Sequence, residues 1–272
     1  MASLPEMVFY PASFAELFSQ WNRQSNALLF AGGTEIMRRE STLAQGADVV
    51  FSLEGISEMR RINRTERYLE IGGTVKLGRI TELGKFVPEV LVQCLQNIAG
   101  PKLRNMATIG GNICCNLDSI PVLAALDAQY ELRGAQSARW VSASRFLPGT
   151  GGSFGEKELL SRLRVPMENW DYFSYKKFSD KPVAGRSAVF LARQQRNILC
   201  DIRMICKTPG GMWRDKDSEM MLAGKRLPLS VRTVAGFVSH LESFLGEGKD
   251  IDSLCVQEFA GFAKANLDSL TD

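Results

Sequence analysis

Two glycine pairs, Gly32-Gly33 and Gly110-Gly111, constrain this chain more than any other feature of its sequence. The first follows the apolar run Leu28-Leu29-Phe30, which reads as a buried strand running into a tight loop. Thr34 is then placed to cap a short helix through Ile36 and Met37. The second pair lies in Thr108-Ile109-Gly110-Gly111-Asn112, read as a glycine-rich loop ahead of a short helix over residues 121–128. Backbone N–H groups can close around a bulky anion such as a pyrophosphate only where no Cβ blocks the approach. A Thr or Asn beside the glycines adds a side-chain hydrogen bond, and a helix starting near Thr34 would aim its N-terminal dipole at the same charge. Neither segment is G-x-G-x-x-G or G-x-x-x-x-G-K-[ST], which disfavours a Rossmann site and a P-loop. Taken alone, each pair is most simply a turn.

The rest of the chain alternates strands and helices. Strands are predicted over residues 47–53 and 68–71, a helix over 89–99 ending at Gly100-Pro101, and a strand pair at Tyr130-Glu131-Leu132 and Trp140-Val141 about a turn at Gly134. Residues 148–155 carry four glycines and read as a loop. After Pro166 the pattern predicts three strands, over residues 172–178, 187–193 and 198–207, then two helices following a link at 224–228. In the first of these helices Val231, Val234, Ala235, Val238, Leu241 and Leu245 share one face at 3.6-residue spacing, with His240 pointing away from it. This places a domain boundary near residue 166.

Composition excludes several classes. Hydrophobic residues at 45% and charged residues at 23% rule out wholesale disorder. A net charge of +3 without a basic stripe argues against nucleic-acid binding. No apolar run approaches the length of a membrane span, and residues 1–14 make a poor signal peptide, so a cytoplasmic location is expected. A single histidine cannot support the usual Ser-His-Asp or Cys-His arrangements. The six cysteines lack paired C-x-x-C spacing, so no metal site is expected. Adjacent Cys114-Cys115 reads either as a redox pair or as two small buried apolar groups. No catalytic side chain is assigned, and any demanding chemistry would belong to a cofactor.

At its glycine pairs the chain resembles the FAD subunit of molybdenum hydroxylases, the xanthine dehydrogenase and carbon monoxide dehydrogenase group. The similarity is carried by Leu28-Leu29-Phe30-Ala31-Gly32-Gly33-Thr34-Glu35-Ile36, by Leu103-Arg104-Asn105-Met106-Ala107-Thr108-Ile109-Gly110-Gly111-Asn112-Ile113, and by Pro121-Val122-Leu123-Ala124-Ala125-Leu126-Asp127-Ala128. It continues through Ile71-Gly72-Gly73, Glu158-Leu159-Leu160 with Pro166, and Glu219-Met220-Met221-Leu222-Ala223-Gly224-Lys225.

The resemblance implies an α+β fold: a two-subdomain FAD-binding domain of the vanillyl-alcohol-oxidase (PCMH) type over residues 1–166, with subdomains of about 1–56 and 57–166. A small C-terminal domain of a three-stranded antiparallel sheet with helices would follow over 167–272. It implies that FAD is held by Leu29, Phe30, Ala31, Gly32, Gly33, Thr34, Glu35 and Ile36, the last six wrapping the pyrophosphate. Thr108, Gly111 and Asn112 would contact phosphate and ribitol, Asp118 would lie near the adenosine end, and Leu160 and Lys176 near the flavin. The chain departs from the family in a shorter link at Cys114-Cys115-Asn116-Leu117, in Lys76 where relatives often have Thr, and in residues 180–185 near the ring.

Such a subunit would take electrons from an iron–sulfur small subunit serving a molybdopterin-binding large subunit, and pass them to NAD or another acceptor. Two other readings stay open: a stand-alone flavoenzyme with its own acid–base residues, and a degenerate flavin fold kept as a scaffold. From the sequence, Gly33→Val is expected to block FAD binding with only modest loss of folding.

Overall fold

A computed structural model of the chain describes residues 7–38, 42, 45–146, 154–178, 185–248 and 251–270. It opens with strand β1 (Met7–Phe9), helix α1 (Phe14–Trp21) and strands β2 (Ala27–Phe30) and β3 (Val49–Ser52), which form a parallel sheet in the order β1-β3-β2. The Ser13 hydroxyl caps α1 by accepting from the Glu16 N–H at 3.2 Å. Leu17, Phe18 and Trp21 fall on one side of α1 and bury against Val49, Phe51 and Ile56. β2 is half-buried along its whole length rather than buried as its apolar run predicts, because Leu28 and Leu29 face a cleft.

β4 (Ile62–Arg64) and β5 (Tyr68–Gly72) are followed by five short helices: α2 (Leu77–Thr81), α3 (Glu89–Gln96), α4 (Pro101–Arg104), α5 (Ile109–Cys114) and α6 (Ser119–Ala125). Pro101 both stops the chain after α3 and opens α4, where its missing N–H costs nothing. β6 (Gln129–Arg133), β7 (Ala138–Ser142) and β8 (Leu159–Pro166) then complete an antiparallel sheet of order β4-β5-β8-β6-β7. Alternate residues of this sheet, Leu69, Ile71, Tyr130, Leu132, Leu163 and Val165, enter one core with the helices. The second glycine pair therefore lies inside α5, not in a loop. The glycine-rich stretch expected at 148–155 falls almost wholly outside the described residues, as do residues 180–184.

The C-terminal sheet has four strands where three are predicted: β9 (Tyr172–Lys177), β10 (Ser187–Gln195), β11 (Ile198–Thr208) and β12 (Gly211–Trp213), in the order β12-β11-β10-β9. β12 has three residues, too few to show an alternation. The turn before it pairs Thr208 with Gly211. Both faces of this sheet are buried. Val189, Leu191 and Ile205 join the first core, while Ala188, Phe190, Ile202, Met204 and Cys206 pack under α7 (Lys216–Leu222), α8 (Val231–Gly246) and α9 (Ser253–Asp268). The first core thus runs past residue 166.

Two helices, α8 and α9, follow the link at 224–228 as predicted, and α7, which the sequence reading did not include, precedes it. On α8 the buried residues are Val234, Phe237, Leu241 and Leu245, whereas Val231 and Ala235 are exposed. The inward stripe keeps Val234, Val238, Leu241 and Leu245 of the predicted face and adds Phe237. His240 is on the exposed side, with Nε2 3.3 Å from Asp215 Oδ2. On α9, Phe259, Ala260, Phe262 and Ala263 are core residues.

Candidate functional site

A cleft of about 360 Å³ opens at the carboxyl end of β2, the side of a parallel sheet where α/β proteins place their ligands. Both glycine segments line it. Leu29, Ala31, Gly32, Gly33, Thr34, Glu35 and Ile36 form one wall, and Thr108, Gly111 and Asn112 another, with Leu160 on β8. Leu28, Leu53, Met59, Leu117, Phe154 and Leu159 make much of the remaining surface apolar. Cys114 and Cys115 also face it, as do Thr74 and Glu158.

The first segment is not the helix expected after Thr34. Residues 34–37 form a turn, closed by the Met37 N–H donating to Gly33 O at 2.8 Å. Gly33 has φ +69°, a left-handed conformation that L side chains resist. Among the described residues, the N–H groups of Gly32, Gly33, Thr34, Glu35 and Ile36 meet no protein acceptor. Half-buried backbone donors are normally paired. Five in succession at a cleft form the kind of concavity that takes an anion.

The second segment works differently. Thr108 caps α5, its hydroxyl accepting from the Gly111 N–H at 3.1 Å. The Ile109 N–H donates to Val75 O at 3.0 Å, the Gly110 N–H to Gly73 O at 2.9 Å and the Asn112 N–H to Thr108 O at 2.9 Å. Its amides are thus already used within the fold, and this wall contributes surface and side chains rather than free donors. Asn112 is itself committed, with Oδ1 accepting from the Ser119 N–H at 3.0 Å and the Ser119 hydroxyl at 2.6 Å.

The glycines divide by what a Cβ would meet. At Gly32 it would lie 3.0 Å from Met106 C and 3.2 Å from Ala107 Cα, and closer still to the Met106 carbonyl oxygen. At Gly110 it would meet Gly73 O at 2.6 Å. These two let backbone pack on backbone. At Gly33 it would strike the Phe30 ring, with Cε2 at 2.7 Å. Phe30 therefore backs the turn instead of lining the cleft. Gly111 alone of the four has no neighbour except the Thr108 hydroxyl, at 2.9 Å. A methyl there would stand in the cleft itself.

Three sequence-assigned residues are not among the lining: Phe30, behind the turn, and Asp118 and Lys176. Asp118 is buried at the start of α6, where Oδ2 takes an ion pair from Lys177 Nζ at 2.8 Å. Lys176 is exposed on β9, its ammonium 5.2 Å from the centre of the Phe178 ring. Conversely, Phe154 and the Glu158 carboxylate belong to the cleft without having been singled out as site residues. Glu158 is held by Arg139 through Nη2 at 2.7 Å and Nε at 2.9 Å, and by the Gly155 N–H at 2.6 Å. The Arg139 hydrogen bonds hold its carboxyl below the ordinary range. Glu35 pairs with Arg38 at 2.7 Å. Burial, aided by the Glu35 charge, pushes the Cys115 thiol up to about 11. The cleft thus presents no free acid or base among these groups, and no group of three potential metal ligands occurs among the described residues. Its donor-rich turn, apolar walls and space at Gly111 fit a dinucleotide with an anionic middle and flat aromatic ends.

The family model described as FAD binding domain in molybdopterin dehydrogenase matches residues 4–168. The chain is 26% identical over 167 residues to the xanthine dehydrogenase FAD-binding subunit of Escherichia coli O157:H7, covering 57% of this chain and 56% of that one. It is 29% identical over 197 residues to the carbon monoxide dehydrogenase medium chain of Hydrogenophaga pseudoflava, covering 66% of each. The chain thus spans between about half and two thirds of the length of these curated relatives. In fold it is similar to a chain of the carbon monoxide dehydrogenase from the same organism, with a TM-score of 0.80, 22% identity and coverage of 98% and 96%. No helix among the described residues is long and apolar enough to cross a membrane. With both signature segments meeting at one cleft, the chain belongs to the family of FAD-binding domains of molybdopterin dehydrogenases.

Proposed function

We propose that this chain is the FAD-holding electron-transfer subunit of a molybdenum-containing hydroxylase or dehydrogenase. In this reading it works beside a molybdopterin-binding large subunit and an iron–sulfur small subunit, and delivers electrons to NAD or another acceptor. The single observation that carries it is the run of five backbone donors from Gly32 to Ile36, without an acceptor among the described residues, in a segment that lines a cleft shared with the second signature. Residues 31–36 would hold the pyrophosphate, with the Thr34 hydroxyl beside it. The open face of Gly111 and the side chains of Thr108, Asn112, Leu29 and Leu160 would shape the walls.

When bound, FAD supplies redox chemistry in one- or two-electron steps, which suits a position between single-electron and hydride carriers. The chain's own residues bind and orient it, and the apolar side chains Leu53, Met59 and Leu159 limit water around it. Glu35 and Glu158 are tied to arginines, and Cys115 stays a thiol at neutral pH. This supports a positioning role over the stand-alone enzyme, which needs a free acid or base. A cytoplasmic setting, consistent with six free cysteines, and division into units of residues 1–166 and 167–272 belong to the same proposal. The test is the visible absorption spectrum of the purified chain after incubation with FAD and removal of excess. Stoichiometric flavin is expected, with no turnover of N-heterocycles by the chain alone. Colourless protein would refute the cofactor site, and turnover would refute the relay.

A further inference from the structure

A second cavity, of about 720 Å³, shares no lining residue with the cleft. Its character is opposite. Arg60, Arg61, Arg79, Arg133 and Arg162 line it together with Glu58, Glu70 and Glu131. The floor comes from adjacent strands of the five-stranded sheet, from residues that alternate with the core-facing Leu69, Ile71, Tyr130, Leu132 and Leu163.

There Glu131 accepts from Arg162 at 2.8 Å, from Arg133 at 3.3 Å and from the Ser161 hydroxyl at 2.5 Å, and Glu70 lies 3.4 Å from Arg162. Two carboxylates thus balance two guanidiniums. Nε of Arg133 and Nε of Arg162 are buried and still have no acceptor among the described residues. Also in the lining, Arg60 and Arg61 at the end of the turn before β4 and Arg79 on α2 are exposed and make no side-chain ion pair or hydrogen bond among the described residues. Glu58, the third acid of the lining, accepts from the Ser57 hydroxyl at 3.1 Å.

With Arg60, Arg61 and Arg79, the five arginines of the lining outnumber its three glutamates, which leaves an excess of positive charge and idle donors along the cavity. Guanidinium forks match phosphate oxygens in pairs. The geometry points to an oligophosphate site: the groove takes a small anion carrying two or more adjacent phosphoryl groups, separate from the cofactor cleft. Phe14, whose ring lies 4.7 Å from the Arg133 guanidinium, also lines the groove and offers a face to a base where the ligand is a nucleotide.

The probe is inorganic pyrophosphate titrated calorimetrically into the FAD-saturated chain, so that the cofactor cleft is filled. One equivalent is expected to bind, more weakly as salt rises. Arg61→Gln and Arg79→Gln are each expected to weaken binding about tenfold while leaving bound FAD and the melting temperature unchanged, because neither side chain makes a contact that the fold uses. Arg67→Gln, exposed and outside the groove, is the control and should bind as the parent does. ADP binding tighter than pyrophosphate would show that Phe14 engages a base; equal affinity would identify phosphate as the whole determinant. No heat with FAD-saturated protein, binding only in its absence, or equal binding by all three variants would overturn the site.

Discussion

Replacing Gly32 by Ala tests the meeting of the two signature segments directly. Its Cβ would lie 3.0 Å from Met106 C and 3.2 Å from Ala107 Cα, with the Met106 carbonyl oxygen nearer still. All three are backbone atoms, so no rotamer change relieves the clash. The two segments must separate by roughly 1 Å, an overpacking that costs about 1–3 kcal/mol. At about 2–4 °C per kcal/mol for a chain of this size, melting should fall by roughly 4–8 °C at the middle of that range. The separation also displaces the donors of residues 32–36. Losing one charge-assisted hydrogen bond, about 1.5–3 kcal/mol, should weaken FAD binding about ten- to a hundredfold, and losing two by up to about ten-thousandfold.

Gly111→Ala is the contrast. Its Cβ meets only the Thr108 hydroxyl, at 2.9 Å, which can rotate away at the cost of the α5 cap, about 1 kcal/mol. The methyl then occupies the cleft, so FAD binding should suffer with a much smaller loss of stability. Thermal melts of the FAD-free chain and fluorescence titration with FAD measure both quantities. If Gly32→Ala melts with the parent and binds FAD equally well, the close approach of the segments is wrong. Gly33→Val, the variant favoured by the sequence alone, is a poorer test: positive φ and the Phe30 ring would damage the fold itself.

Two further outcomes follow from the packing and charge. Phe237 is 1% exposed and Val231 87% exposed. Phe237→Ala should therefore cost about 3–5 kcal/mol and Val231→Ala within about 0.5 kcal/mol. Similar denaturation midpoints for the two would refute the observed face of α8. Burial alone pushes the Glu131 carboxyl up, but hydrogen bonds from Arg162 and Ser161 and the charges of Arg162 and Arg133 outweigh it and hold it below its ordinary 4.5. A carboxylate depressed in the fold stabilises it fully above the unfolded-state value, and that contribution is lost as pH falls through the folded-state value. Glu131→Gln should narrow the difference in melting temperature between about pH 7 and about pH 3; an unchanged difference would count against the ion network.

Local chemistry was legible wherever it is written in consecutive residues. The apolar run of β2 and the alternation of β6 and β7 are properties of neighbouring side chains, and these strands stand close to where those patterns place them. Both glycine pairs line the cleft, where glycine permits backbone to approach backbone closely. What kind of element each pair occupies was not legible. Gly110-Gly111 sits in a helix because Thr108 caps it and Val75 and Gly73 accept its first amides, partners more than thirty positions away in the chain.

The same divide separates what the amino-acid order settled by itself from what only the assembled molecule decided. Family, cofactor class and the run of elements come from local patterns. Tertiary contact alone determined that five amides stay free at Gly32 to Ile36 while those of α5 do not, and that Phe237 faces the core instead of Val231. It also placed Asp118 on Lys177 and not in the cleft lining. Each of these depends on which distant group arrives to take up a donor, fill a gap or neutralise a charge, and no spacing within a single segment encodes that arrival.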